Sequence, residues 1–121
     1  MGLRDDILAA VKLPVTVVKL PAGSEGWPES VRIKTMTGLE RDAWEESTMV
    51  RRGGEVSTRM DNFRANLLVK VIVDESGNRV FNDIDAPALG RTSSVVLDLL
   101  FAEACRLNGI GRKDVEELTK N

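Results

Sequence analysis

Histidine and tyrosine are absent from this 121-residue chain, and cysteine occurs once, at Cys105. Without histidine, Ser-His-Asp and Cys-His catalytic groups are excluded, and the common zinc sites lose their usual ligand. A single cysteine also excludes an intrachain disulfide bond. An enzyme would depend on carboxylates, lysines or hydroxyl groups, yet the adjacent Glu45 and Glu46 point about 100° apart on a helix. The sequence therefore predicts a protein that is not an enzyme and that uses no cofactor or metal.

The chain also lacks a strong excess of charge of one sign and a long apolar run. The formal net charge is -2, and no block is strongly acidic or basic, so nothing in the bulk charge predicts nucleic-acid binding. The longest dense apolar run, residues 67–73, contains Lys70 and is too short to cross a bilayer. The N-terminus carries two acids and lacks the apolar core of a secretory signal. We therefore expect a cytoplasmic protein without a membrane or nucleic-acid partner.

The first third of the chain predicts a helix followed by a β-hairpin. Apolar residues recur at helical spacing within residues 1–13, and Pro14 ends that pattern. Residues 14–21 are rich in β-branched side chains, and residues 30–36 alternate apolar with basic side chains. The loop between them contains glycine and proline. An antiparallel pair of strands is the simplest arrangement for these two segments.

The middle of the chain predicts two helices. Thr37 and Glu40 form the sequence signature of a capping box, which starts the first helix. Residues 51–54 contain two glycines and are interpreted as a loop that separates the helices. The second helix is expected to begin at residues 57–58. Its end is ambiguous, because residues 68–73 are apolar on several sides and fit either a buried helix or a short strand.

The segment VDESGNRVFND, residues 73–83, resembles a calcium loop in composition. The calcium-loop pattern requires a glycine at its sixth position, where this chain has Arg79, whose positive charge would oppose a cation. Aspartate, serine, glycine and asparagine are also ordinary turn-forming residues. The sequence therefore predicts a turn, after which residues 79–81 return as a short strand beside residues 72–73.

The C-terminal part predicts the clearest helix of the chain. One of the hydroxyl residues at positions 92–94 caps it, and it runs to about Leu107. Asn108 and Gly109 then supply a left-handed stop, after which residues 109–121 form a polar tail. Cys105 lies within the helix, where a small buried residue is favoured over a reactive thiol. The whole chain, residues 1–121, is predicted to be one α+β domain, mostly helical, with an N-terminal β-hairpin and a short strand pair around residues 72–81.

An ordered series of local patterns gives the chain a family resemblance. The series is VRIKTMTGLERDAWE, a helix ending in VDESGNRVF, the acidic turn NDID, and a helix closing in LNGIG. It resembles the tail assembly chaperones of long-tailed, lambda-like siphovirus bacteriophages, over residues 14–121. The residues at the positions that this pattern expects are Arg32, Thr37, Glu40, Arg41, Asp74, Gly77, Phe81 and Asp85.

The resemblance implies a role in the assembly of phage or prophage tails. Such chaperones bind the tape measure protein in the host cytoplasm, recruit major tail (tube) protein subunits, and are absent from the finished virion. A longer form made by ribosomal frameshifting usually adds the second binding domain. Residues 119–121 can be encoded as ACA AAA AAC, which contains a slippery run. The chain itself is expected to be monomeric or weakly self-associating.

Trp27 and Trp44 are the candidate partner contacts, because tryptophan is enriched at the centres of binding surfaces. For Trp44, which lies on a weakly amphipathic helix, core packing is favoured over a partner contact. Two other classes of protein remain open at this point. One is another phage morphogenesis protein, such as a head–tail connector component that would form a closed ring. The other is a small enzyme that uses carboxylates.

Overall fold

Helices and two small antiparallel sheets alternate along the chain. The computed structural model describes residues 2–119. Within that range the helices are α1 (Leu3–Leu8), α2 (Gly38–Ser47), α3 (Phe63–Val71), α4 (Ala86–Gly90), α5 (Ser94–Leu107) and α6 (Arg112–Thr119). The strands are β1 (Val15–Lys19), β2 (Ser30–Lys34), β3 (Met49–Arg52), β4 (Glu55–Thr58) and β5 (Ile72–Val73). The predicted α+β class is confirmed.

The larger sheet has the strand order β1-β2-β5, and all its pairs are antiparallel. The predicted hairpin is confirmed, with Val18 opposite Val31. The ambiguous segment at residues 68–73 contains both structures, because α3 ends at Val71 and the chain continues as β5. β5 pairs with β2 by placing Val73 opposite Arg32. This pairing brings two segments that are far apart in sequence to neighbouring positions.

The smaller sheet corrects the prediction for the middle of the chain. β3 and β4 form a second hairpin, so the expected helix start at residues 57–58 was wrong. Gly53 and Gly54 have φ angles of 56° and 85°, and two consecutive positive φ angles are typical of the tight turn that joins antiparallel strands. The glycine pair therefore reverses the chain within a hairpin. α3 begins only at Phe63.

The core lies between the larger sheet and helices α3 and α5. α3 is buried on almost every side, and Leu67 and Leu68 are fully buried. Leu100 of α5 is fully buried as well. α1 lies within the predicted N-terminal helix of residues 1–13, but it ends at Leu8, well before Pro14, and makes little use of its apolar residues. Its large apolar side chains are exposed: Leu3, Ile7 and Leu8, together with Val11 just after it.

Both ends of α5 follow the prediction closely. Ser93 caps the helix by accepting a hydrogen bond from the backbone N–H of Val96. Gly109 has a φ of 66°, which glycine adopts without strain, and Ile110 N–H donates to the Cys105 carbonyl oxygen at 2.8 Å. The predicted left-handed stop is confirmed. Cys105 is buried, and this burial raises the pKa of its thiol to about 11, although Arg41 opposes the shift.

Asn108 joins the end of α5 to the junction between β2 and α2. Its side-chain Oδ1 accepts from the Met36 backbone N–H at 2.6 Å, and its Nδ2 donates to the Lys34 carbonyl oxygen at 3.4 Å. Arg41 donates from Nη1 to the Asn108 carbonyl oxygen at 2.9 Å. Three hydrogen bonds thus connect segments that are about seventy residues apart in the chain.

Replacing Asn108 by alanine should lower the free energy of unfolding by about 1–3 kcal/mol, because the partly buried Met36 N–H and Lys34 carbonyl lose their partner. Urea denaturation followed by circular dichroism measures this change. Asn108→Asp keeps an acceptor for Met36, but it sets a carboxylate oxygen against the Ala104 and Lys34 carbonyl oxygens, so it should not recover the lost stability. Equal stability of the alanine variant and the natural chain would contradict this role for Asn108.

Candidate partner-binding groove

The loop between β1 and β2 presents Trp27. Two successive turns hold this loop, since Ser24 N–H donates to the Pro21 carbonyl oxygen at 3.2 Å and Trp27 N–H donates to the Ser24 carbonyl oxygen at 3.1 Å. The Trp27 side chain is partly buried and packs against the edge of the core. The indole is therefore held in place while part of its surface stays accessible.

The segment opposite Trp27 follows the turn that the sequence predicts at residues 74–78. Asp74 Oδ1 accepts from the backbone N–H groups of Ser76 and Asn78, at 2.9 and 3.0 Å. Gly77 occupies a left-handed position with φ 85°. This confirms the turn. The predicted return of the chain beside β5 is made by a single bridge between Val73 and Arg79, without an extended strand.

Arg79, the residue that breaks the calcium pattern, holds this segment in place. Its Nε and Nη2 donate to the Val69 carbonyl oxygen in the last turn of α3, at 3.0 and 2.7 Å. Its Nη2 also donates to Asp83 Oδ1 at 2.7 Å, and the buried Lys70 reaches the same oxygen at 3.2 Å. The hydrogen bond from Arg79, aided by Lys70, keeps the pKa of Asp83 below its usual value despite partial burial. Residues 80–82 are thereby fixed between two anchored positions.

Two surface depressions meet at Trp27, Pro28 and Phe81, and we call them together the Trp27 groove. The larger depression, of about 830 Å³, lies between the Trp27 loop and the segment from α4 to the start of α5. The smaller, of about 430 Å³, runs along the ends of β2 and β5. Its wall includes Val80, whose side chain is 53% exposed. The other apolar side chains of the groove are Val31, Ile72, Val73, Ala88 and Leu89.

The two candidate tryptophans have different environments. Trp44 is fully buried, and its ring meets the edge of Phe63 at a centroid distance of 5.9 Å. Its indole N–H has no hydrogen-bond partner among residues 2–119. A side chain without accessible surface cannot contact a partner of the folded chain, so Trp44 serves the core. Trp27 is the candidate that remains at the surface.

Sequence reasoning did not identify the groove as a site. Phe81 carried part of the family resemblance, but no local pattern placed it beside Trp27, because more than fifty residues separate the two. The pairing of β5 with β2 brings them together. The usable signal was the coexistence of an aromatic residue with turn-forming neighbours in both segments.

The chemistry of the groove favours non-covalent binding. Its floor is aromatic and aliphatic, and its polar side chains are four carboxylates, three hydroxyl groups and one arginine. Within residues 2–119, no three histidine, cysteine, aspartate or glutamate side chains are grouped to hold a metal ion. In the same range, no helix has both the length and the apolar character needed to cross a membrane. An open groove of this kind suits the docking of an apolar segment of another molecule.

The residues that carry the family resemblance have defined places in the structure. Thr37 Oγ1 accepts from Glu40 N–H at 3.1 Å and Glu40 accepts from Thr37 N–H at 2.9 Å, so the predicted capping box is confirmed. Phe81 and Asp85 line the Trp27 groove. No curated protein and no solved structure gives a significant match to the chain. A family model described as phage tail assembly chaperone matches residues 17–121, which leaves out α1, the segment after it and the first two residues of β1. The chain belongs to the phage tail assembly chaperone family.

Proposed function

We propose that this phage tail assembly chaperone binds apolar helical segments of the tape measure protein in its Trp27 groove. The observation that carries the proposal is an open groove built around the partly buried Trp27, in a chain of this family. The chain acts by binding and not by catalysis. It works in the host cytoplasm and leaves before the virion is complete.

The construction of the groove supports a role in binding. Trp27 and Phe81 are large aromatic side chains, a type that contributes strongly to the centres of binding surfaces. The turns of the Trp27 loop and the hydrogen bonds of Arg79 hold both walls before any partner arrives. Because little ordering is needed on binding, more of the interaction free energy appears as affinity.

The proposal extends to the tail tube. A longer, frameshifted form of the chain would carry the second domain and recruit major tail protein subunits to the bound tape measure protein. The last residues, where the slippery codons would lie, include 120–121, which are outside the described residues. The alternative of a head–tail connector component has no feature of the structure in its favour, and it predicts a closed ring.

Co-expression tests the proposal. The cognate tape measure protein should become more soluble when this chain is present, because its apolar stripes are covered, and the two should co-purify. Supplying the frameshifted form should add the tube protein to the complex. No gain in soluble tape measure protein and no co-purification would contradict the proposal. If light scattering gives the purified chain the mass of a multi-subunit ring, the connector alternative is favoured.

A further inference from the structure

The rim of the Trp27 groove has an excess of negative charge. Five carboxylate side chains line this groove and the adjoining face of the Trp27 loop, and among the described residues Arg32 is the one basic side chain of that lining. The carboxylates are Glu25, Glu29, Asp74, Glu75 and Asp85. The net charge of the whole chain is only -2, so this rim is more acidic than the average surface.

Within residues 2–119, some carboxylates have cationic partners, and the five at the rim do not. Asp83 contacts Lys70 and Arg79, Glu40 contacts Lys34, and Asp98 contacts Arg64. Within residues 2–119, none of the five rim carboxylates forms an ion pair. The Asp74 and Asp85 carboxylates accept hydrogen bonds from backbone N–H groups of their own turns, and within residues 2–119 no cationic side chain pairs with them.

We propose that the Trp27 groove selects apolar helical segments that are flanked by lysine or arginine. The inference rests on the proposed function and specifies which parts of the tape measure protein are bound. The apolar side chains of such a segment contact Trp27 and Phe81, while its basic groups reach the acidic rim. Lysine and arginine suit this position because their aliphatic stems lie along apolar surface while the charge stays at the rim.

The chain's own α1 is a less basic occupant than the proposed segment. α1 is an exposed helix with an apolar stripe, and Asp5 and Asp6 lie in its first turn. Their negative charges offset the positive charges of Arg4 and Lys12, so this segment has no net charge. A segment with basic flanks and no such acids complements the acidic rim better, so a second copy of the chain is a poorer occupant.

Two synthetic helical peptides test the charge preference directly. Both carry the same leucine and isoleucine stripe, and one is flanked by lysines and the other by glutamates. Fluorescence anisotropy should show about 10-fold or greater tighter binding of the lysine peptide at low salt, with the difference shrinking as salt is raised. Equal affinities would overturn the inference. So would a chain that dimerises through this groove and ignores both peptides.

Two matched triple variants test whether the preference for the lysine peptide depends on the rim carboxylates. Glu25→Gln/Glu29→Gln/Glu75→Gln removes three exposed rim charges, and Asp42→Asn/Glu55→Gln/Glu117→Gln removes three exposed charges outside the groove. Only the rim variant should lose the preference for the lysine peptide and retain less full-length tape measure protein. If the rim variant keeps the preference for the lysine peptide and the full retention of tape measure protein, the inference fails while the proposed function stands. If the natural chain captures no tape measure protein, the proposed function fails, and the peptide comparison still decides the charge preference.

Discussion

Replacement of Trp44 by alanine is expected to lower the free energy of unfolding by about 3–5 kcal/mol, because it leaves a large cavity in the core. Trp44 has no accessible surface and meets the edge of Phe63, which in turn lies 5.8 Å from Phe101 between ring centroids. Removing the indole therefore takes one ring out of an aromatic cluster that joins α2, α3 and α5. For a small domain, such a loss is a large part of the total stability.

Urea denaturation of the two variants Trp44→Ala and Trp44→Phe measures this effect. Phenylalanine keeps most of the apolar volume and removes an indole N–H that has no partner within residues 2–119. Its cost should therefore stay below about 1.5 kcal/mol. A loss of less than about 1 kcal/mol in Trp44→Ala would contradict the placement of this side chain in the core.

The contrast between Trp44 and Trp27 shows what a sequence can predict here. The patterns around each residue are local, and local patterns do not decide which indole is covered by distant segments. Trp44 is buried because α3 packs over α2, and Trp27 stays accessible because its loop lies at the end of the sheet. The burial of each indole therefore depends on the tertiary arrangement. The sequence alone could offer core packing and partner contact only as alternatives.

Features set by neighbouring residues were predictable. The capping box at Thr37 and Glu40 depends on side chains three positions apart, and the stop at Asn108 and Gly109 depends on a single left-handed residue. The hairpin of β1 and β2 follows from alternation on both sides of one loop. Each of these signals is complete within a few residues.

Two features escaped prediction for different physical reasons. Glycine pairs such as Gly53–Gly54 occur in loops between helices and in tight hairpin turns, and the flanking residues 49–58 are too polar to decide between the two. The Trp27 groove exists only because β5 pairs with β2, a contact with no local signature. The apolar surface of Phe81 and Leu89 becomes a wall of the groove only after that pairing.

Replacement of Trp27 by alanine is expected to reduce binding of the tape measure protein about 30-fold or more, which is the size of effect found at the centre of a binding surface. The cost in stability should be smaller than for Trp44→Ala, at about 1–2 kcal/mol, because the indole is only partly buried. Circular dichroism should show that the variant remains folded. The two tryptophans would then separate binding from stability within one chain.

Val56→Ala supplies a matched control for this variant. Val56 lies in β4, outside the Trp27 groove, and its side chain is 58% exposed. Like Trp27→Ala, this substitution removes apolar surface, but at a position outside the groove. The control should bind the tape measure protein as the natural chain does, since single exposed apolar residues are common on protein surfaces.

The most direct measurement is the amount of full-length tape measure protein that co-purifies with each folded variant after co-expression. We expect Val56→Ala to retain the full amount and Trp27→Ala to retain about one tenth or less, as for loss of a central aromatic contact. Equal retention by Trp27→Ala and Val56→Ala would contradict the assignment of the Trp27 groove as the binding surface.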